Sequence, residues 1–193
     1  MQSITLKRPD DWHIHLRDDA YLARTVGDAS RYFGRVLVMP NLVPPVTTVA
    51  LAAAYRERIL KHASAGFSPM MALYLTDETS KDTVAAAAET TFTPAFKLYP
   101  AGATTNSAFG ISAIEEMFPI FEAMQKQDVI LSIHGEVTDQ DVDIFDREAV
   151  FIDRILSRIA ATFPALRIIL EHITTKEAVA FVRDASDKVA ATI

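Results

Sequence analysis

Residues 11–18 read Asp11-Trp12-His13-Ile14-His15-Leu16-Arg17-Asp18. In an extended strand successive side chains face opposite sides, so His13 and His15 project together with Ile14 between them, an arrangement that suits one metal ion. A neutral imidazole is a good ligand for Zn2+, Fe or Ni. A catalytic site needs a third donor, an open position and partners that orient the rings. Trp12 to Leu16 is therefore read as a first strand, and the fold is decided by where the other donors fall relative to the strands that follow.

Outward from that stretch the chain alternates. Residues 19–33 carry Leu22, Val26, Ala29 and Phe33 near helical spacing, closed by Gly34. Arg35 to Met39 is a short apolar run bounded by Gly34 and Pro40, the pattern of a strand buried on both faces. Pro40 to Pro45 cannot be regular, and Thr47 or Thr48 caps a helix through about His62. Strands over Pro69–Leu75, Ala95–Tyr99, Val129–His134 and Arg167–His172 are separated by helices over Thr79–Glu89, from a capping box at Ser112-Ala113-Ile114-Glu115, over about 146–162, and from Thr174-Thr175-Lys176-Glu177 to about Ala185. Pro119 should kink or interrupt the helix it falls in. Val189 to Ile193 reads as the opening of a seventh strand.

Six βα units and a seventh strand, without a linker or repeat signature, predict one all-parallel α/β domain over residues 1–193. An open doubly wound sheet lacks its glycine fingerprint after strand one. A (β/α)8 barrel of the TIM type fits better, because His15, Asn41, Lys97, His134 and His172 all fall at or near C-terminal strand ends, where barrel active sites are built. Such barrels run to about 250 residues. The expectation is therefore the N-terminal part of a barrel whose last strands are missing.

Composition narrows the chemistry. The 193 residues are 50% hydrophobic, ample for a core, with 19 basic and 25 acidic side chains for a net charge of −6. No basic run interleaves with aromatics, so a nucleic-acid partner is not expected and the substrate should be a small molecule. No cysteine occurs, which excludes disulfides, thiolate metal sites and a cysteine nucleophile. No stretch has the length of a membrane span or the form of a secretory signal, so the expected compartment is the cytoplasm.

Four of the five histidines, His13, His15, His134 and His172, stand at strand ends, whereas His62 closes a helix and is assigned no role. Each alone reads as a structural histidine; four on one rim read as a metal centre. Lys97 sits in an apolar strand where an ammonium is costly. It reads either as a lysine reaching the barrel mouth or pairing with an acid, or as a lysine carboxylated by CO2, an anion able to bridge two metals. Arg17 and Asn41 suit a carboxylate-bearing ligand. Arg17 reads equally as the partner of Asp18 or Asp19, and Asn41 as a turn residue between prolines. Thr104, Thr105 and Asn106 lie in a small, polar loop over 100–110 that reads as a lid or as an ordinary surface loop.

The ordered set DWHIHLRD, VMPNLVPPVTT, FKLYPAGATTNS, IHGEV and EHITT resembles the dihydroorotases of the amidohydrolase superfamily, specifically the bacterial single-function type, across essentially the whole chain. The resemblance implies reversible cyclisation of N-carbamoyl-L-aspartate to dihydroorotate in pyrimidine biosynthesis, in a cytoplasmic homodimer with two zinc ions. It implies that His13 and His15 bind one zinc, His134 and His172 the other, and Lys97 the bridge as its carbamate. Arg17 and Asn41 would hold the substrate carboxylate, with Thr104 and Thr105 on the loop that closes over it. One departure stands out. The family's proton-shuttling aspartate belongs to strand eight, beyond Ile193, and Glu136, Asp139, Asp141, Glu171 and Asp184 do not occupy its place; Glu136 and Glu171, which flank metal-ligand histidines, read as residues that orient those rings or pack against them. The implied chemistry is thus that of a larger barrel, and residues 1–193 alone are expected to be inactive. The alternatives are a catalytically silent barrel segment acting as scaffold or partner subunit, and a hydantoinase-like cyclic amidase.

Overall fold

The computed structural model describes residues 3–193. Seven strands, β1 (Asp11–Ile14), β2 (Arg35–Val38), β3 (Ser68–Tyr74), β4 (Ala95–Leu98), β5 (Ile130–Ile133), β6 (Ile168–Leu170) and β7 (Val189–Ala191), form one sheet in sequence order. Every neighbouring pair is parallel. This is the strand order of a TIM-type barrel, open between β1 and β7 among the described strands.

Helices α1 (Leu22–Tyr32), α2 (Val49–Leu60), α3 (Lys81–Ala88), α4 (Phe118–Lys126) and α7 (Lys176–Asp184) cover the outside. Between β5 and β6, α5 (Arg147–Phe151) passes through a π-helical turn (Ile152–Leu156) into α6 (Ser157–Thr162). The strands' outward residues, such as Val36, Val38, Leu73, Phe96, Leu98, Leu131, Ile133 and Leu170, build the main core with buried helix residues such as Tyr55, Phe121 and Phe151. A second cluster of Leu37, Met39, Ala72 and Ala95 fills the sheet's inner face, with Met70 and Ile130 against it. The floor beneath the strand ends is therefore packed side chains and not a pore.

Several boundaries differ from expectation. β1 ends at Ile14, and the chain cannot stay extended through Arg17 and Asp19, whose φ values are 58° and 50°. Residues 19–21 form a short 3-10 turn before α1. Ser112 does not open a capping box: its backbone N–H and hydroxyl both donate to Asp77, and a 3-10 turn (Ile114–Met117) precedes α4. Pro119 causes no kink, since it occupies the first turn of α4, where its missing N–H would be unpaired in any case. Thr48, Ser80 and Thr175 cap α2, α3 and α7, each accepting from a backbone N–H three residues on.

Candidate metal centre

Parallel strands all end on one side, so donors at their C-terminal ends converge. His13 lies within β1 and His15 one residue past it, His134 directly follows β5, His172 is two residues beyond β6, and Lys97 is the penultimate residue of β4. The rings of His13 and His15 are 5.2 Å apart between centroids, His13 and His172 also 5.2 Å, and His134 and His172 4.8 Å. His134 Nδ1 and His172 Nε2 face each other at 3.1 Å. Two imidazoles that aim ring nitrogens at one point are spaced as a shared metal requires, given Zn–N lengths of about 2.0–2.1 Å.

The other two rings are held from behind. His13 Nδ1 lies 2.9 Å from Glu171 Oε2, and a carboxylate only accepts, so the ring proton sits on Nδ1 and Nε2 is left for a metal. His15 Nδ1 lies 2.8 Å from Asn41 Oδ1, with the same consequence for its Nε2. Glu171 is fully buried and also accepts from Ser132 Oγ and Thr192 Oγ1. Burial alone would raise its carboxyl pKa, yet the His13 bond, the Lys97 charge and the two hydroxyls hold it at about 2. Glu136 Oε2 lies 3.1 Å from His134 Nε2, the nitrogen turned away from His172.

Lys97 is fully buried, and its Nζ has no hydrogen-bond partner. Burial pushes it down to about 7, opposed by the charge of Glu171. His15, His134 and His172 are each lowered to about 4, mainly by burial; the next cause is the His13 charge for His15 and the Lys97 charge for the other two. At neutral pH these three rings are therefore neutral, as metal ligands must be. No group of three or more His, Cys, Asp or Glu side chains that could hold a metal occurs among the described residues. Carboxylation of Lys97 would add two oxygen donors and a negative charge to the histidines, whereas a protonated lysine has no lone pair to offer. An orphaned, half-neutral amine beside convergent imidazoles fits that modification.

Sequence reasoning left Tyr74, Tyr99 and Ser132 unassigned. Tyr74 and Ser132 are the register partners of Lys97 on β3 and β5, and the Tyr99 hydroxyl is buried without a partner. Alternation from Lys97 could have placed Tyr99 on the inner face, but the other two need the register.

The substrate-side residues are brought to the same rim. Arg17 and Asn41 line one pocket of about 300 Å3, together with Asn106, Pro44 and Arg58. No histidine lines this pocket, which is linked to them through Asn41, the partner of His15; His13 and His172 line a separate cleft of about 450 Å3 with Asp11 and Thr192, in the gap between β1 and β7. Arg17 makes no ion pair with Asp18, which is taken by Arg58. The left-handed conformation of Arg17 costs about 1–2 kcal/mol in an L-residue. Asn41 is a turn residue and more: its Nδ2 donates to the Thr105 carbonyl, and Asn106 Nδ2 donates back to the Asn41 carbonyl. The Tyr74 hydroxyl donates to the Asn106 carbonyl, so the tip of the 100–110 loop rests on the site. The Thr104 and Thr105 residues are exposed there. The loop's base is closed by Ile111 N–H donating to the Tyr99 carbonyl and Ala101 N–H to the Ile111 carbonyl. A Cβ at Gly110 would lie 2.3 Å from the Tyr99 carbonyl oxygen, so only glycine permits that closure.

Comparison with known proteins agrees with this geometry. A dihydroorotase of Shewanella amazonensis is 58% identical over all of this chain, which covers 56% of that protein. The crystal structure of a Campylobacter jejuni dihydroorotase superposes with a TM-score of 0.89 at 38% identity, over 97% of this chain and 54% of that one. The Saccharomyces cerevisiae dihydroorotase, solved with 5-fluoroorotic acid, gives 0.86 at 31% identity, over 96% and 55%. The chain thus spans just over half the length of the relatives it matches, and the resemblance drawn from its motifs is borne out. The Amidohydrolase family model matches residues 11–190, almost the whole of the described sheet and its histidine rim, and the chain belongs to that family.

Proposed function

We propose that the protein is a zinc-dependent dihydroorotase, interconverting N-carbamoyl-L-aspartate and (S)-dihydroorotate in pyrimidine biosynthesis, and that residues 1–193 are the N-terminal part of its single barrel domain. The similarity to dihydroorotases supports the substrate. The observation that carries the metal reading is the buried, unpartnered Nζ of Lys97 among four histidines. His13 and His15 would hold one zinc, His134 and His172 the other, with the carboxylated Lys97 between them. The carbamate forms when the neutral amine adds to CO2 and loses a proton, and burial supplies the neutral amine near pH 7. Two bound zinc ions would polarise the reacting carbonyl and lower the pKa of water.

Arg17 offers a free guanidinium fork to the substrate's carboxylate. Asn41, by exchanging its bond to Thr105, would add a second donor, and the Thr104 and Thr105 hydroxyls would close against the substrate. Ring closure joins the ureido nitrogen to the side-chain carboxyl carbon and releases water. The proton on that nitrogen needs a base, and the nearby acids are committed: Glu171 to its three donors and Glu136 to His134. The resemblance assigns that task to an aspartate of an eighth strand, so residues 1–193 alone should not turn over.

The reading of the partners follows the resemblance: a small-molecule substrate and a cytoplasmic homodimer. No described helix is long and apolar enough to cross a membrane. The test is ring opening of dihydroorotate by the complete gene product, followed by loss of ultraviolet absorbance. Turnover that chelation abolishes and zinc restores is expected. Preference for unsubstituted hydantoins, which have no carboxylate for Arg17, would favour the cyclic-amidase alternative. The open edge between β1 and β7 favours a silent scaffold for the 193-residue chain by itself, and no turnover by the zinc-loaded complete product would extend that reading to the whole protein.

A further inference from the structure

We infer that Tyr55 and Arg58 of α2 are positioning residues for carboxylate recognition, holding the Arg17–Asp19 turn so that the Arg17 guanidinium is presented free to the substrate. The inference rests on the proposed function and deepens it by naming what sets that recognition.

The turn is unusual in itself, since Arg17 and Asp19 both have positive φ, and for Arg17, unlike an aspartate, that conformation is uncommon and held by its surroundings. The surroundings are two side chains of one helix. The Tyr55 hydroxyl donates to the Arg17 carbonyl, and Tyr55 is fully buried. Arg58 grips the next residue with a fork, Nε donating to Asp18 Oδ1 at 3.2 Å and Nη2 to Asp18 Oδ2 at 2.5 Å. Residues three apart share a helix face, so one rigid body fixes two successive residues. That body is itself fixed, capped by Thr48 and docked through Ala52, Tyr55 and Ile59.

The second effect of Arg58 is electrostatic. Without it the carboxylate of Asp18, the adjacent residue and a lining residue of the same pocket, would be free to pair with Arg17 and neutralise the guanidinium. With Asp18 engaged, no hydrogen bond or ion pair reaches the Arg17 side chain among the described residues, and Arg17 faces the pocket it shares with Asn41 and Asn106. Neither Tyr55 nor Arg58 needs to touch the reacting atoms.

The test uses the complete gene product with N-carbamoyl-L-aspartate. Tyr55→Phe and Arg58→Met are each expected to raise KM about tenfold, the scale of one hydrogen bond to a charged group, with kcat within about twofold. In an Arg17→Met background the same changes should add nothing, because no guanidinium remains to be placed. An unchanged KM, or an equal rise in the Arg17→Met background, would overturn the inference, the latter by showing general loosening. A crystal structure of Tyr55→Phe gives a readout independent of activity: Arg17 should leave the left-handed region, and its retention there would also overturn the inference. If the wild-type protein failed to turn over either substrate, the proposed function would fall, and that structure alone would decide whether Tyr55 holds the turn.

Discussion

Glu171 sits beneath the histidines with its two oxygens shared among His13, Ser132 and Thr192, on three different strands or their extensions. Orienting groups of this kind typically contribute 10–100-fold to metal affinity. Glu171→Gln is therefore expected to weaken zinc binding by about that factor in a chelator competition, and unchanged affinity would remove Glu171 from the site. The titration of the donors has a definite sign. His15, His134 and His172 fall from 6.5 to about 4 on folding, so between those values the unfolded chain binds protons that the folded chain refuses. Metal-free protein should thus have this stability in full above pH 6.5 and lose it as pH falls towards 4, read as a declining thermal midpoint. Lys97, lowered from 10.5 to about 7, behaves in the same direction at higher pH, and its carboxylation should increase as pH rises through 7, read by mass. The histidines and Lys97 were legible in the sequence because donor chemistry at strand ends is local. An orienting or packing role for Glu171 could be read from its place beside His172, but its partner could not, since the bond to His13 joins residues 158 apart.

Secondary elements owe their accuracy to the same locality. Caps at Thr48 and Thr175 and the apolar runs of the strands could be read directly, because each depends on three or four consecutive side chains. The misread elements depend on distant partners or backbone details. Ser112 is diverted by Asp77, 35 residues away, and the π-turn at 152–156, where the Ser157 hydroxyl donates to the Ile152 carbonyl, leaves no sequence pattern. Glu148 illustrates how elements are locked together: this buried carboxylate on α5 accepts from the backbone N–H groups of Thr174 and Thr175 and from the Thr175 hydroxyl. Removing it strands those donors at the turn that carries His172 into α7. Glu148→Ala should destabilise the protein by about 1–3 kcal/mol in denaturant unfolding, and a change below a few tenths would show that water replaces it.

For the whole molecule, the β–α rhythm reveals the number of units and their parallel arrangement, while register and closure come only from the folded sheet. The described strands leave β1 and β7 as edges, with the cleft between Trp12, His13, His172 and Thr192 open beside the histidines. Exposed edges seek partners. A protein comprising residues 1–193 alone should therefore self-associate in sedimentation and show no turnover, and a monodisperse monomer would contradict that. The proposed centre has four histidines and a carboxylated lysine around two metal ions, which anomalous diffraction from zinc-loaded crystals would locate. Two peaks are expected, one about 2.0–2.1 Å from Nε2 of His13 and His15, the other at that distance from His134 Nδ1 and His172 Nε2, with carbamate density on Lys97 between them. A single peak away from these nitrogens, or an unmodified Lys97 beside two occupied positions, would contradict it.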